Sequence, residues 1–248
     1  MYSLTKKIYK NGFYLLSFLP LRLLTMNSFI PIIESPKGKD GVIRKGKFRG
    51  RNCYYKVGLL NTLIKLKPKL CLEIGTHLGG TAKIFEYYFK KYRPDGILIT
   101  CDIKCYIKLN SKYIRQVIVY PHINNIEDYH KVTKNELLPA YEDHLENSVK
   151  ANCEIIKKEL SKIRASSFDF YFIDGDHTRI SFLKDIEIAK ALSTPPHYIL
   201  LDDTKEEDHE CCFVYQNELK LKFNHYDFDD WLIFVSMSLI WDKNYPYK

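Results

Sequence analysis

Near position 170 the chain reads FDFYFIDGDHTR, and near 200 it reads YILLDDT. Each is an apolar run that ends in acids: Asp174 and Asp176, followed by His177, in the first, and Asp202 and Asp203 in the second. An ionised carboxylate is costly to bury unless it is paired, so acids at the end of a buried strand need a partner or a use. No basic residue stands between the acids of either run. If Asp174, Asp202 and Asp203 converge, they repel and raise one another's proton affinity. A hard divalent cation removes that repulsion, and an oxygen-only ligand set suits Mg²⁺, Mn²⁺ or Ca²⁺. Asp176 and His177 are side chains of the types that move protons. The plainer alternative is that Asp176 caps a helix beginning near Thr178, and that Asp202 and Asp203 cap a turn.

A second constellation lies upstream in EIGTHLGGT (Glu73–Thr81). Gly75 permits a tight turn and a close approach of backbone to a ligand. The spacing is GxxxGG and not the GxGxxG of a dinucleotide fingerprint, so no pyrophosphate cradle is indicated. Asp102 follows 27 residues after Gly75, at the end of the next apolar run, ILITCDI. A carboxylate there can accept two hydrogen bonds from a ribose diol.

These residues need elements to hold them. Short apolar runs (LCLEIG, ILITCDI, QVIVYP, FDFYFID, HYILLDD) alternate with helix-like runs (VGLLNTLIKLKP, GGTAKIFEYYFKKY, a polar stretch over 124–162, SFLKDIEIAKAL). Two more strand-like runs, LKFNHYDF and WLIFVSMSLIW, close the chain. Such alternation predicts a mostly parallel sheet covered on both faces, doubly wound by right-handed crossovers. Ligands of such sheets bind at the carboxyl ends of the strands. Glu73, Asp102, Asp174, Asp202 and Asp203 all fall there.

EIGTHLGGT followed by Asp102 resembles the cofactor site of class I S-adenosylmethionine-dependent methyltransferases, over about residues 55–240. That resemblance implies a Rossmann-like, doubly wound seven-stranded α/β sheet with an antiparallel C-terminal strand. It also implies that Glu73, Gly75, Thr76 and Gly79 serve the methionine part of S-adenosylmethionine and that Asp102 holds its ribose. The pair IDGDHT and ILLDDT resembles a subgroup of metal-dependent small-molecule and sugar O-methyltransferases, with cephalosporin hydroxylase-like relatives. By that resemblance Asp174, Asp202 and Asp203 bind Mg²⁺ (or Mn²⁺ or Ca²⁺) and Asp176 is the general base. His177 then orients the substrate or serves as the alternative base. The chain departs from the pattern at Pro195-Pro196-His197, where Gly-Gly is usual, and at Arg179, where a tyrosine often stands. HECC (His209–Cys212) offers metal-ligand types, too closely spaced to complete a zinc site alone.

The expected function is methyl transfer to a hydroxyl of a small molecule or sugar. The alternatives are a catalytically altered S-adenosylmethionine-binding or hydroxylase-like relative, and a membrane-surface interaction protein. Residues 1–51 carry nine more positive than negative side chains, although the whole chain of 248 residues nets only +8. The basic character therefore belongs to an N-terminal helix and linker (1–51) and not to the domain (52–248). This argues against a nucleic-acid partner and for peripheral contact of residues 1–30 with an anionic membrane. FYLLSFLPLRLL is too short and too interrupted to span a bilayer, and three readings stay open for it: a helix packed on the main domain, a peripheral membrane-surface helix, or a cleaved or anchoring signal. Seven cysteines without a CxxC pair fit a reducing, cytoplasmic compartment. An oligomer is left open.

Overall fold

A computed structural model describes residues 52–122, 139–205, 209–227 and 237–244, with backbone alone for 52–58, 139–145 and 195–197. The chain divides into two units, Met1–Phe48 and Arg49–Lys248, and the described residues all belong to the second. The expected basic N-terminal helix, with its membrane contact, lies outside the described residues, as does 123–138 of the long polar stretch.

The elements run α1 (Asn52–Leu66), β1 (Leu70–Ile74), α2 (Gly80–Tyr92), β2 (Ile97–Asp102), β3 (Ile114–Ile118) and α3 (Pro139–Lys162). There follow β4 (Phe168–Ile173), α4 (Arg179–Ala191), β5 (Ser193–Leu201), α5 (Glu210–Val214), a π-helical turn (Tyr215–Leu219), α6 (Lys220–Lys222), β6 (Asn224–Asp227) and β7 (Ser238–Trp241). The seven strands form one sheet in the order β3-β2-β1-β4-β5-β7-β6. The pairings from β3 through to β5 are parallel, and β7 runs antiparallel to both β5 and β6. This is the doubly wound, mostly parallel sheet the alternation predicts. Strand order reverses between β1 and β4, where ligands of such sheets bind.

The central strands are buried because helices cover both faces, which is why they read as continuous apolar runs. Leu72, Tyr171, Ile199 and Ile240, from four strands, share one core with Ile156 of α3 and Phe182 and Ile186 of α4. The exception inside β4 is Asp169, whose Oδ2 accepts hydrogen bonds from the backbone N–H groups of Lys69 (2.8 Å) and Leu70 (2.9 Å). That carboxylate ties the start of β1 to β4.

Three boundaries differ from the sequence reading. The prolines 195 and 196, expected to separate α4 from β5, lie inside β5, which begins at Ser193. The β4–β5 register shifts between Phe168 and Phe170, jumping from Ser193 to Tyr198. Prolines cannot donate to a ladder, and an irregularity is where a strand tolerates them. LKFNHYDF is not all strand: helix persists to Lys222 before β6. β3 starts before QVIVYP and ends at Ile118, because it is an edge strand whose last residue is exposed. No helix among the described residues is long and apolar enough to cross a membrane.

Candidate active site

A cavity of about 420 Å³ opens at the carboxyl ends of β1, β2 and β4, and its lining includes Gly75, Asp102, Tyr120, Asp174, Asp176 and His177. Two of the sequence's motifs thus face one space.

The floor is the turn after β1. Gly75 has φ 99°, and a Cβ there would sit 1.8 Å from the carbonyl oxygen of Asp174. Only glycine lets β1 and β4 run this close as they leave the sheet. The N–H groups of Gly75 and Thr76 both donate to the Cys101 carbonyl, at 2.9 and 3.3 Å, and Gly79 N–H closes the turn on the Thr76 carbonyl at 2.7 Å. Gly79, at φ 73°, is the residue before α2.

Glu73 and Thr76 were expected to touch a cofactor, but both side chains point beneath the turn. Glu73 is fully buried. Thr100 Oγ1 donates to Glu73 Oε2 at 2.5 Å, and the hydroxyls of Thr76 and Thr100 share a hydrogen bond of 2.5 Å. Burial pushes the Glu73 carboxyl well above its ordinary range, opposed by the Thr100 hydrogen bond and reinforced by the charges of Asp174 and Asp102. Its Oε1 has no hydrogen-bond partner. Glu73 and Thr76 are absent from the cavity lining, and the side-chain hydrogen bonds of both run to Thr100.

Asp102 is at the lining itself. Its Oδ2 accepts the backbone N–H of His77 and its Oδ1 that of Ile103, each at 2.7 Å. The carboxylate therefore braces the glycine turn from the end of β2. His77, at φ 43°, stands edge-on to Tyr106 with ring centroids 5.2 Å apart.

The acids that follow β4 and β5 stand at the ends of neighbouring strands. Asp202 N–H donates to the Ile173 carbonyl at 3.0 Å, which puts Asp202 next to Asp174 across the strand pair. Asp202 is only 8% exposed. Burial, then the charges of Asp174 and Asp203, push its carboxyl well above the usual range. Its Oδ1 is buried without a hydrogen-bond partner. Asp203 has left-handed backbone, φ 51°, and its Oδ2 lies 3.3 Å from His177 Nε2. Asp202 and Asp203 do not line the cavity, whereas Asp174 does.

Asp176 and His177 are adjacent in sequence and differ in setting. The Asp176 carboxylate is exposed and turned to Thr178, accepting from its N–H at 3.3 Å and its hydroxyl at 3.0 Å. Thr178 in turn caps α4, its side chain accepting from Ser181 N–H. His177 is half-buried against Asp203.

Sequence reading missed two groups. His122, Ser148 and Asp185 form a buried chain, with His122 Nδ1 2.7 Å from Ser148 Oγ and His122 Nε2 3.2 Å from Asp185 Oδ1. His122 and Asp185 line the cavity. The three are 26 and 63 residues apart, without a spacing that announces them. His209 and Cys211 come to lie beside His177, which the close spacing within HECC did not suggest.

A family model described as a methyltransferase domain matches residues 72–204, which takes in the glycine turn, Asp102 and the acids of β4 and β5. The chain belongs to the methyltransferase-domain family. Its sheet is that of the class I S-adenosylmethionine-dependent enzymes. Among solved structures, this methyltransferase is similar to MycE, a methyltransferase from the mycinamycin biosynthetic pathway in complex with Mg, SAH and mycinamycin VI. The identity is 13% and the TM-score 0.50, over 97% of this chain and 63% of that one. Another MycE crystal form matches at 12% identity and a TM-score of 0.46, over 77% of this chain and 50% of that one. The O-methyltransferase TomG of Streptomyces achromogenes, in complex with SAM, matches at 13% identity and a TM-score of 0.41, over 76% and 79% of the two chains. The chain spans 50–63% of the MycE chains it matches. No curated protein matches it.

Proposed function

We propose that this methyltransferase moves the methyl group of S-adenosylmethionine to a hydroxyl of a small molecule or sugar, with help from a divalent metal. One observation carries the reading: the glycine turn with Asp102 and the acid end of β4 face each other across a single cavity. Gly75 brings main chain to the cavity wall without a side chain in the way, and Asp102 offers a carboxylate at the same wall, a group that can accept from a ribose diol. Asp102 would exchange its loop contacts for the diol. S-Adenosylmethionine supplies an electrophilic methyl on a positive sulfur, which needs little activation, so the residues contribute mainly alignment.

Asp174, Asp202 and Asp203 fit a hard cation. They are oxygen donors only, Asp202 stands beside Asp174 across the strand pair and feels the charge of Asp203, and Asp202 Oδ1 is buried with no hydrogen-bond partner. When bound, Mg²⁺ would favour the ionised form of an acceptor hydroxyl. MycE, which shares the fold, holds Mg and a small molecule in its crystal, in keeping with this reading.

For the proton, the sequence offered Asp176 first and His177 second. We now assign His177. Both line the cavity, but the Asp176 carboxylate is turned to Thr178, whereas His177 has Nε2 3.3 Å from Asp203 Oδ2, a carboxylate that can stabilise the imidazolium formed on taking a proton. Imidazole is also the side chain whose ordinary titration lies nearest neutral pH, which suits general-base work. Residues 1–30 support a separate reading, peripheral contact with an anionic membrane, on their excess of lysine and arginine.

The test is methyl transfer from labelled S-adenosylmethionine to a panel of hydroxyl acceptors. Transfer should stop in chelator and return with Mg²⁺ or Mn²⁺. Asp174→Asn and Asp203→Asn should behave like chelator while S-adenosylmethionine still binds. Full transfer in excess chelator would remove the metal from the account.

A further inference from the structure

Outside the oxygen trio, the β4–α4 loop and the start of α5 are fastened together. Cys211 N–H donates to the His177 carbonyl at 3.1 Å, and Arg179 N–H donates to Glu210 Oε2 at 2.6 Å. Arg179 also forms a 2.6 Å ion pair with Glu218 in the π-helical turn. These ties come from within HECC, through Glu210 and Cys211, and from Glu218 after it. They bring His177 over the first turn of α5.

The His177 and His209 rings stack, 4.5 Å apart and 14° from parallel. Cys211 Sγ is 4.0 Å from His177 Nδ1. One ligand atom from each of His177, His209 and Cys211 can be chosen so that all lie within 4.8 Å of one another. Asp203 Oδ2 is 3.3 Å from His177 Nε2 and 3.3 Å from His209 Nδ1. Although it is that close, His209 Nδ1 is out of line for a hydrogen bond and is a buried nitrogen without a partner. A buried ring nitrogen without a hydrogen-bond partner, among side chains of metal-ligand type, is a position that a cation can satisfy.

The donor chemistry is selective. Two imidazole nitrogens and one thiolate sulfur suit zinc and its neighbours, whereas Mg²⁺ and Ca²⁺ take oxygen. Zinc–nitrogen bonds of about 2.0–2.1 Å and zinc–sulfur bonds of about 2.3 Å place tetrahedral ligands roughly 3.3–3.8 Å apart. The present separations, up to 4.8 Å, exceed that, so binding requires the side chains to rotate inward. Binding would replace the S–H bond of Cys211 with a metal–sulfur bond, and the proton would leave to solvent.

We propose that His177, His209 and Cys211, with Asp203 beside them, form a site for zinc or a similar nitrogen- and sulfur-seeking divalent ion, distinct in chemistry from the all-oxygen trio. One consequence rests on the function proposed above. An ion held by His177 takes that imidazole out of proton transfer, so zinc inhibits where Mg²⁺ supports. The site itself does not depend on that function.

The probe is Co²⁺ titrated into the full chain without S-adenosylmethionine. The expected spectrum has a thiolate-to-cobalt charge-transfer band in the near ultraviolet and intense tetrahedral bands in the visible. Equimolar zinc should remove both, and excess Mg²⁺ neither. Cys211→Ser should lose the charge-transfer band, and His209→Gln should lose the tetrahedral intensity. Cys105→Ser, at the exposed thiol, should change nothing. Cys211 is buried, so if Cys211→Ser fails to fold, His209→Gln at a half-buried ring decides. A weak octahedral spectrum, an unchanged spectrum in folded His209→Gln, or a band lost in Cys105→Ser instead would overturn the site. A spectrum as expected with no methyl transfer under any condition would leave the site standing and remove the catalytic reading.

Discussion

At the scale of single residues, the turn after β1 is fixed by geometry and not by preference. A side chain at Gly75 would meet the Asp174 carbonyl oxygen at 1.8 Å, and the left-handed backbone alone costs about 1–3 kcal/mol for other residues. Gly75→Ala should therefore lower unfolding free energy by at least that amount in urea, and should weaken cofactor binding because the β4 end must move. Glu73 gives a pH signature. Its carboxyl is pushed up in the fold from an ordinary value of 4.5. A folded state that holds the proton more tightly than the unfolded chain loses stability as pH rises from the ordinary value through the raised one. The loss can approach about 1.4 kcal/mol per pH unit. Glu73→Gln, which cannot ionise, should be flatter across that window and at least as stable as wild type at its upper end. An identical slope in both proteins would mean that Glu73 is ionised in the fold. The base assignment is equally direct. His177→Gln should slow transfer by about 10²–10⁴-fold, the usual cost of losing a general base, and Asp176→Asn should cost far less. The reverse order would return the base to Asp176.

At the scale of elements, His122 after β3, Ser148 on α3 and Asp185 on α4 tie three segments together beneath the cavity. Burial pushes the Asp185 carboxyl up, and the His122 contact pulls it partly back. Asp185→Asn should cost about 1–3 kcal/mol, the range for a buried hydrogen bond to a charged group. It should do so with an unchanged denaturant slope, since the surface exposed on unfolding is the same. A change below about 0.5 kcal/mol would mean that the chain is not holding the elements. The glycine turn, Asp102 and the two acid-ended strands were legible because their residue types are unusual at strand ends. The chain His122–Ser148–Asp185 was not, because a lone histidine in a polar stretch has no period or spacing. His209 and Cys211 were visible as HECC, but their partner His177 lies some thirty residues upstream. Only the β4–α4 contact with α5 closes that distance. Prolines 195 and 196 misled for a local reason: they break ordinary strands, and the irregular β4–β5 register is what accommodates them.

At the scale of the whole molecule, the charge and the chemistry lie in different places. Residues 1–51 hold the positive excess, and the cavity belongs to the sheet that follows. A chain without residues 1–30 should lose binding to anionic vesicles while the thermal transition of the remainder stays in place. Retained vesicle binding would put the contact elsewhere, and a lost transition would make the segment part of the core. The sheet order was readable because alternating strands and helices leave few permitted topologies. The acceptor was not, because its contacts depend on side chains that no spacing announces. The proposed function requires that one cavity take S-adenosylmethionine by the Gly75 turn and Asp102. Calorimetry with S-adenosylmethionine and its demethylated product tests it most directly. The wild-type chain should bind both, and Asp102→Ala, shown to be folded, should bind at least about 10-fold more weakly, a loss of about 1.4 kcal/mol. A folded wild-type chain that binds neither, or an Asp102→Ala chain that binds as tightly as wild type, would contradict it.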